Sequence, residues 1–363
     1  MTGHKSATNR CAIKLTLNTK FHYMETILVT GGAGYIGSHT VIALREAGFR
    51  PVIIDNLSNS SCGAVNRIRE LANDPGIPFI EADVRDPDAL ETIFREYPIA
   101  SVIHFAGYKA VGESTKIPLD YYINNLGSTF TLLEAMKRHG CFKLVFSSSA
   151  TVYGSPVALP IDESHPLSAT NPYGRTKLFT EEILCDLAAL DPKWKIALLR
   201  YFNPVGAHPS SRIGESPHGR PNNLFPCVTQ CIVGKLPELK VYGSDYPTPD
   251  GTGVRDYLHV SDLAAGHVAA VHRLDTLAGA VPINLGTGVG YSVLDIVKSF
   301  EKIVGHLIPC IFDDRRPGDV AECYANPDRA AILLGWKATR TLDEMCRDSW
   351  NWQRQNPKGY EAA

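Results

Sequence analysis

A tyrosine and a lysine four residues apart are the pair with the clearest chemical potential in this sequence of 363 residues. Tyr173 and Lys177 stand at the start of a predicted helix, where a spacing of four places both side chains on one face. A free phenol, whose pKa is about 10, is a poor base near neutral pH, and a neighbouring ammonium lowers that pKa. The pair therefore indicates a tyrosine general base. The alternative for an isolated Y-x-x-x-K match is a surface tyrosine beside a solvated lysine.

Hydroxyl groups follow a predicted strand shortly before this pair. The segment 146–154, FSSSATVYG, places Ser149 at the carboxyl end of that strand, where ligands bind in open α/β sheets. Asn171 and Pro172 then introduce the helix that carries Tyr173. A serine, a tyrosine and a lysine in this context favour catalysis over the surface alternative.

A glycine-rich turn between a predicted strand and a predicted helix indicates a dinucleotide. Residues 27–39 read ILVTGGAGYIGSH, a short apolar run, a glycine cluster and the start of an amphipathic segment. Gly32, Gly34 and Gly37 fit the G-x-G-x-x-G spacing, and Gly31 with the last two fits G-x-x-G-x-x-G. Such glycines let backbone N–H groups approach a pyrophosphate at a helix N-terminus.

An acidic residue follows the next predicted strand at the distance expected for NAD binding. Residues 51–54 are apolar, and Asp55 comes 24 residues after Gly31. A carboxylate there accepts the ribose hydroxyls of NAD and repels the additional phosphate of NADP. We therefore predict that the cofactor is NAD, the alternative being a glycine turn with a purely structural role. A cationic nicotinamide would also lower the pKa of Tyr173.

Strands alternate with helices from the glycine turn onward, which predicts a doubly wound parallel α/β sheet of the Rossmann type. Proline and glycine then become dense between Pro204 and Gly253, where we predict a smaller C-terminal α/β substrate-binding lobe with helices at 292–304 and 342–353. The predicted strands of the large sheet are 27–29, 51–54, 78–81, 101–105, 143–147 and 196–201, and its helices are 36–47, 62–73, 87–97, 116–139 and 172–190.

Three parts are predicted along the chain. Residues 24–203 form the NAD-binding domain, to which 281–287 are a candidate to return as a further strand, and 204–363 form the substrate-binding domain. Residues 1–23 carry four basic and no acidic side chains. We interpret them as a disordered, dispensable extension, with a targeting peptide as the alternative, because a basic and acid-poor composition also suits one.

Composition argues against several other classes of protein. Charged residues make up 20% and hydrophobic residues 44% of the chain, and the net charge of −2 gives no basic excess for nucleic acid or a membrane surface. No apolar run approaches the ~18 residues of a membrane span. The nine cysteines are scattered, and only Cys227 and Cys231 are close together, without a second pair for a zinc site. We therefore predict reduced thiols, a cytoplasmic location and no metal.

The sequence resembles the extended short-chain dehydrogenase/reductases and, within them, the family of UDP-glucose 4-epimerases, also called UDP-galactose 4-epimerases. The resemblance covers residues 25–360, nearly the whole folded chain. It is carried by the segments VTGGAGYIGSHT, HFAGYKAVGES, FSSSATVYG, NPYGRTK, LLRYFNPVGAHPS, PNNLFP, DGTGVRDYLHV and RRPGD.

The resemblance implies interconversion of UDP-galactose and UDP-glucose with NAD as a permanently bound cofactor. Tyr173 would remove the proton of the sugar 4-hydroxyl while hydride leaves C4 for NAD. Lys177 would bind the nicotinamide ribose and lower the pKa of Tyr173, and Ser149 would hydrogen-bond the 4-oxygen. The 4-keto sugar would then rotate about the diphosphate and take hydride back on its other face.

The resemblance also implies binding residues for both ligands. Those for NAD are the glycine-turn residues Gly31, Gly34, Tyr35, Ile36 and Gly37; Asp55, Asn56, Asp83 and Val84 at the adenosine half; Phe105, Ala106, Gly107, Lys109 and Asn124 around the middle; and Tyr201 with the three catalytic residues. Those for the UDP-hexose are Asn203, Asn223 and Leu224 at the nucleotide sugar; Lys240, Val241 and Tyr242 at uracil; and Arg255, Arg316 and Asp319 at the diphosphate and ribose, since guanidinium groups suit phosphate geometry.

Other activities on the same fold remain as alternatives. Related 4,6-dehydratases carry Asp-Glu after the Ser-Thr at this strand end, where this chain has Ala150 and Thr151, which cannot serve as an acid and base. A decarboxylase acting on UDP-glucuronate stays open by residue type. A catalytically silent NAD-sensing protein is disfavoured by the intact Ser149, Tyr173 and Lys177.

Cys323 bears on the size of the accepted sugar. It lies seven residues after Arg316, where the family pattern implies a residue on the wall of the hexose pocket. A tyrosine there would fill the space that an N-acetyl group at C2 sweeps out, whereas a thiol leaves it open. We therefore predict activity on UDP-N-acetylglucosamine and UDP-N-acetylgalactosamine as well. The alternative is that Cys323 is a small core residue and that Tyr324 is the wall.

Relatives of this family pair through two helices per subunit, which implies a homodimer here. The helices would be 116–139 and the one that carries Tyr173, so that two from each partner form a four-helix seam. No nucleic-acid or membrane partner is expected.

Overall fold

The computed structural model describes residues 24–216, 219, 221, 223–316 and 318–360, so the predicted extension at 1–23 lies outside the described residues. The strands are β1 (Thr26–Thr30), β2 (Arg50–Asp55), β3 (Phe79–Glu81), β4 (Ile99–His104), β5 (Lys143–Ser149), β6 (Lys195–Tyr201), β7 (Asn203–Val205), β8 (Leu239–Tyr242), β9 (Val254–His259), β10 (Gly279–Leu285), β11 (Gly290–Ser292), β12 (Cys310–Asp313) and β13 (Glu322–Cys323). The helices are α1 (Tyr35–Glu46), α2 (Cys62–Leu71), α3 (Pro87–Glu96), α4 (Val111–Ser114), α5 (Pro118–Arg138), α6 (Pro172–Leu190), α7 (Leu224–Ile232), α8 (Val260–Arg273), α9 (Val293–Val304), α10 (Asp328–Leu334) and α11 (Leu342–Gln355). Single 3-10 turns follow β5 at Ala150–Tyr153 and α8 at Leu274–Thr276.

Seven parallel strands form the central sheet in the order β10-β6-β5-β4-β1-β2-β3. Successive residues of a strand point to opposite faces. Ile27 and Val29 of β1 therefore pack with α1 and α8, whereas Leu28 packs with α3, α5 and α6. Helices cover both faces, and the doubly wound α/β fold predicted from the sequence is confirmed.

The strand order reverses between β1 and β4. The chain moves outward in one direction through β2 and β3 and in the other through β4, β5 and β6. The turns that follow β1 and β4 consequently diverge, and a crevice opens at the carboxyl edge of the sheet, where ligands of such folds bind.

A smaller lobe carries two short sheets, one of β7, β9, β11 and β13 and one of β8 and β12. Its core joins Phe225 of α7, Phe300 of α9 and Met345 of α11. Ser292 and Thr341 begin α9 and α11 with capping boxes, in which the cap side chain and the third helical residue satisfy each other's backbone N–H groups. Both helices agree with the predictions at 292–304 and 342–353.

The C-terminal half contributes more to the large sheet than the sequence indicated. The strand β10 pairs in parallel with β6, and the helix α8, which the sequence analysis missed, packs on α1 and against β5 and β6. Gly266 of α8 lets the helix approach closely, because a Cβ there would lie 2.9 Å from Leu285. Two elements that follow the predicted boundary at residue 203, α8 and β10, therefore belong to the packing of the large sheet.

Asn284 of β10 fastens the last strand of the sheet to the loop before α6. The residue is fully buried, its side-chain oxygen accepts the Tyr153 hydroxyl at 2.7 Å, and its Nδ2 donates to the Ile161 carbonyl at 2.9 Å. Its backbone N–H donates to Glu163 at 2.7 Å. Removal of the amide would leave two buried polar groups without this partner.

We predict that Asn284→Ala lowers the free energy of unfolding by roughly 1–3 kcal/mol, the cost of unsatisfied buried polar groups. Urea unfolding followed by circular dichroism measures it. The control is Asn66→Ala on the exposed face of α2, which should change stability by less than ~0.5 kcal/mol. Equal stabilities of the two variants would show that Asn284 does not fasten β10.

Candidate active site

The glycine turn closes tightly on β1 and on the segment after β4. Gly31 has a φ of +69°, and a Cβ there would lie 2.9 Å from the Ala106 amide nitrogen. A Cβ on Gly37 would overlap the Gly31 carbonyl oxygen. Gly34 is the N-cap of α1 and offers no side-chain cap, so the first N–H groups of that helix face the crevice. Glycine is therefore required here by contact, and the site suits a pyrophosphate.

Asp55 ends β2 with a carboxylate that organises the neighbouring turns. Its oxygens accept the Ala33 N–H at 3.1 Å, the Leu57 N–H at 2.9 Å and the Ser60 hydroxyl at 2.8 Å. The carboxylate thereby joins the glycine turn to β2 at the carboxyl edge of the sheet.

The other residues predicted for the adenosine half lie beside Asp55. Asn56 donates to Asp83 at 3.0 Å, and Arg85 forms an ion pair with Asp83 at 2.7 Å. These contacts lower the pKa of Asp83 to about 2, with the Arg85 hydrogen bond as the largest cause. Val84 is buried between them and the sheet. Asp83 is therefore ionised at neutral pH, and its charge is balanced by Arg85.

Two buried residues that the sequence analysis missed hold the segment after β4. The Ala106 N–H donates to the Thr30 hydroxyl oxygen at 3.2 Å, and that oxygen lies 2.7 Å from His104 Nδ1. Burial lowers the pKa of His104 to about 3, so the ring stays neutral. The histidine precedes the FAG motif directly, which is the signal that could have indicated its role.

Asn124 supports the same segment through its neighbour Asn125. The Asn124 amide donates to Asn125 at 3.0 Å, and Asn125 accepts the Tyr108 N–H at 2.8 Å. Asn125 also donates to the Thr176 hydroxyl at 3.0 Å. Asn125, which the sequence analysis did not name, thus links α5, the loop after β4 and the helix that carries Tyr173.

The three predicted catalytic residues come together where β5 meets α6. Lys177 Nζ donates to the Ser147 carbonyl oxygen at 2.8 Å and lies 6.0 Å from the centre of the Tyr173 ring. Ser149 Oγ accepts the Thr151 N–H at 3.2 Å and also hydrogen-bonds to Tyr173. All three side chains are buried at the carboxyl edge of the sheet.

Burial dominates the acid–base properties of this pair. It raises the pKa of Tyr173 well above its usual range, the adjacent Tyr201 phenol adds to the rise, and the hydrogen bond from Ser149 opposes it. Burial also lowers the pKa of Lys177 to about 8, an effect that Glu181 opposes. Burial therefore outweighs the expected lowering of the Tyr173 pKa by Lys177, whose ammonium donates to the Ser147 carbonyl. Tyr201 accepts the Ser147 hydroxyl at 3.0 Å.

On the opposite side of the crevice, Glu215 joins two predicted binding residues. Its carboxylate pairs with Lys109 at 3.1 Å and accepts from Asn223 at 2.9 Å. No motif in the sequence indicated Glu215. Leu224 begins α7 beside Asn223 and is partly buried against the core of the smaller lobe, whereas Asn203 is exposed on β7.

The residues predicted for the diphosphate and uracil form a second group. Arg316 pairs with Asp319 at 3.0 Å, Arg255 lies 3.9 Å from the same carboxylate, and the Arg316 guanidinium lies 4.8 Å from the centre of the Tyr242 ring. Lys240 pairs with Asp313 at 3.2 Å. Val241 lies between Lys240 and Tyr242 in the sequence. Its side chain is buried in the core of the smaller lobe, so only its backbone is open to a ligand.

Cys323 and Tyr324 face different surroundings. Cys323 of β13 pairs with Arg255 of β9. It packs against a cluster that contains Val152 and Tyr153, which follow Ser149, and Phe202, which follows β6. The Tyr324 ring instead lies over Gly290, where a Cβ would be 3.2 Å from its edge. Of the two, Cys323 is the one on the side of Ser149.

Neither a metal centre nor a membrane-spanning helix is found among the described residues. Among the residues that the structure describes, no group of three or more His, Cys, Asp or Glu side chains is arranged to hold a metal ion. No helix in the described part of the chain has the length and apolar character needed to cross a bilayer.

The fold and this site define a nucleotide-binding enzyme of the extended short-chain dehydrogenase/reductase class. Residues 28–349 match the model of the family described as GDP-mannose 4,6 dehydratase. The UDP-glucose 4-epimerase of Bacillus subtilis is 59% identical over 337 residues, which are 93% of this chain and 99% of that protein. The chain therefore belongs to the UDP-glucose 4-epimerase family, as the sequence motifs indicated.

Solved structures agree in fold and in sequence. The UDP-glucose 4-epimerase from Bifidobacterium longum in complex with NAD+ and UDP matches with a TM-score of 0.89 and 54% identity, over 92% of this chain and 99% of that one. The UDP-Glc/GlcNAc 4-epimerase from Campylobacter jejuni matches with a TM-score of 0.79 and 34% identity, over 91% and 99%.

Proposed function

We propose that this protein interconverts UDP-galactose and UDP-glucose at C4 of the hexose. The observation that carries the proposal is the buried group of Ser149, Tyr173 and Lys177 beside the glycine turn. The high identity to proteins named UDP-glucose 4-epimerase supports the substrate.

NAD is the cofactor that the residues fit. The glycine turn packs directly on the backbone at Gly31 and Ala106, the first N–H groups of α1 have no side-chain cap and suit a pyrophosphate, and Asp55 stands at the end of β2 for a ribose. The B. longum relative is described in complex with NAD+. Bound NAD supplies an acceptor for the hydride at C4 and a donor that returns it.

Tyr173 is the general base and Ser149 its partner at the 4-oxygen. Because burial raises the pKa of Tyr173, the phenolate forms only where positive charge offsets the desolvation. Lys177 contributes one such charge, and a cationic nicotinamide would contribute a second. Lys177 is also placed to hydrogen-bond a ribose while Ser147 holds its ammonium. On the return step, Tyr173 gives its proton back to the 4-oxygen.

The two arginines anchor the nucleotide and leave the sugar free to turn. Arg255 and Arg316 converge on Asp319 and would receive the diphosphate, while Tyr242 and Lys240 would flank uracil. Tyr35, Ile36 and the other residues that the family resemblance implies for NAD complete the proposed binding set. Firm binding of UDP with few contacts to the hexose permits the 4-keto sugar to present either face.

Dehydration is a poor alternative, although the matching family model is described as GDP-mannose 4,6 dehydratase. The residues after Ser149 are Ala150 and Thr151, and the Thr151 hydroxyl donates to Ser149 at 3.0 Å. Neither can supply the acid and base that elimination of water needs.

Cys323 is proposed as the part of the hexose wall that sets the size of the sugar. Its contacts on the side of the catalytic serine support this role over Tyr324. The C. jejuni relative described as a UDP-Glc/GlcNAc 4-epimerase makes N-acetylated substrates plausible for this fold. We infer that the protein also interconverts UDP-N-acetylglucosamine and UDP-N-acetylgalactosamine.

A homodimer through α5 and α6 is also proposed. Leu119, Ile123 and Phe130 of α5 are exposed on one helical face, and Phe179 of α6 is exposed beside Tyr122, whose ring stacks on it at 6.2 Å. An apolar face of this kind suits the four-helix seam.

The roles of the two domains and the location of the protein are also proposals. We propose that 24–203, completed by 281–287, bind NAD and that 204–363 bind the UDP-sugar. We propose a cytoplasmic location, since Cys141, Cys231 and Cys346 are buried thiols; fractionation of cells that express the protein checks it.

A direct assay tests the reaction and its base. We predict that the protein converts UDP-galactose to UDP-glucose without added reductant and that Tyr173→Phe lowers kcat by about 10² or more, with little change in UDP affinity. Tyr97→Phe, at the far end of the sheet after β3 and α3, is the control and should keep full turnover. A Tyr173→Phe variant with near-normal kcat would assign the base to another group.

The size of the sugar pocket is tested at Cys323. Cys323→Tyr should abolish turnover of UDP-N-acetylgalactosamine and retain turnover of UDP-galactose, because the phenol fills the space of the N-acetyl group. Cys62→Tyr, on the exposed end of α2, should retain both activities. Wild-type protein that acts on UDP-galactose alone would contradict the assignment.

The oligomeric state is tested by light scattering at micromolar concentration. We predict a dimeric mass for the wild type and a monomeric mass for Phe130→Asp, since a buried unpaired carboxylate would disrupt the seam. Ile332→Asp replaces a still more exposed apolar residue, which lies on α10 outside the proposed seam, and should stay dimeric. A monomeric wild type would refute the proposal.

A further inference from the structure

Three consecutive serines of β5 meet three residues of α6 that are spaced by four. Ser149 hydrogen-bonds to Tyr173, the Ser147 carbonyl accepts from Lys177, and the Ser148 hydroxyl donates to Glu181 at 2.5 Å. The spacing places the three helical residues in one stripe. Two of them belong to the proposed catalytic group, and Glu181 extends the same stripe by one turn.

Glu181 is held in the protein interior as part of an ion pair. It is 2% exposed, and the Arg200 side chain of β6 donates to its two oxygens at 3.0 Å and 2.6 Å. Arg200 continues to the Tyr153 hydroxyl at 3.1 Å. With Ser148 and Arg200 as donors, the carboxylate has the hydrogen bonds that a buried anion requires.

The surroundings of Lys177 offer few other charges. The titratable and charged groups that face its ammonium are His104 of β4, Tyr173 and Glu181 of α6, and Tyr201 of β6, with Arg200 behind Glu181. The Phe146 ring lies 4.9 Å from Nζ. Burial keeps His104 neutral, with a pKa of about 3. Glu181 thus supplies the one carboxylate among these groups.

We propose that Glu181 is a positioning residue that keeps Lys177 protonated and directed at the Ser147 carbonyl. It touches no substrate atom and acts through Lys177, while the Arg200 ion pair holds its carboxylate in place. This role rests on the proposed function, in which Tyr173 needs the Lys177 ammonium when it removes the proton from the substrate.

The sign of the effect follows from the charges. Burial favours the neutral amine of Lys177 and the Glu181 carboxylate favours the ammonium, which gives a pKa of about 8. Loss of the carboxylate removes the second influence, so Lys177 would lose its proton at a lower pH. Activity that depends on the ammonium would then fall earlier as the pH rises.

The test is a pair of pH titrations on the holoenzyme as purified, wild type against Glu181→Gln. Selective ¹³C labelling at lysine Cε, with Lys177→Met to assign the signal, follows the Lys177 proton directly by NMR. We expect its midpoint to fall by about one pH unit in Glu181→Gln. The alkaline limb of kcat should shift by the same amount, whereas a purely structural role would lower kcat equally at every pH.

Controls separate charge from folding. Glu182→Gln changes the next carboxylate of α6, which is exposed, and should leave both titrations unchanged. Glu181→Asp keeps the negative charge, so its Lys177 midpoint should stay close to that of the wild type. If Glu181→Gln does not fold because Arg200 is left unpaired, the double variant Glu181→Gln/Arg200→Gln removes both buried charges and should show a smaller downward shift, because the opposing charge of Arg200 is lost too.

Each outcome is decisive. An unchanged Lys177 midpoint in folded Glu181→Gln or in the double variant would overturn the proposal. The NMR titration needs no substrate, so a wild type that fails to epimerise UDP-galactose would reject the proposed function while leaving the Lys177 measurement to be judged by itself.

Discussion

The close backbone contact between α1 and the glycine turn after β1 is the constraint on which the rest of this structure depends. Because Gly37 has no Cβ, the helix can rest against the Gly31 carbonyl, and Gly31 can in turn rest against Ala106. This contact places the N-terminus of α1 at the point where the strand order reverses. The position of the amide groups that we propose for phosphate binding is thus set by the absence of side-chain atoms.

Local pattern was sufficient for the parts of the molecule where one element follows the next. The strand, turn and helix around Gly31 and the helix that begins after Asn171 are both found where the sequence placed them, because their periodicity and caps are local. The helix α8 was missed although it is no less amphipathic than α1, and its place beside α1 depends on contacts between distant parts of the chain.

The site shows the same division. Tyr173, Lys177 and Ser149 could be named from spacing and motif, but their acid–base state could not, since burial is a property of the whole fold. Glu215 and Asn125 were missed because each connects segments that are far apart in sequence. The sequence indicated the sign of the Lys177 effect on Tyr173 but not that desolvation would be the larger influence.

The pairing of β10 with β6 has a consequence for how the chain is made. The residues of β10 follow those of β6 by some eighty positions, so a ribosome releases β6 long before its neighbour exists. Until then β6 is an uncovered sheet edge with unpaired N–H and C=O groups, the kind of surface that attracts strands of other chains. The first domain to emerge is therefore incomplete when its residues leave the ribosome, and its last strand arrives only after residues 204–278 of the second domain have been synthesised.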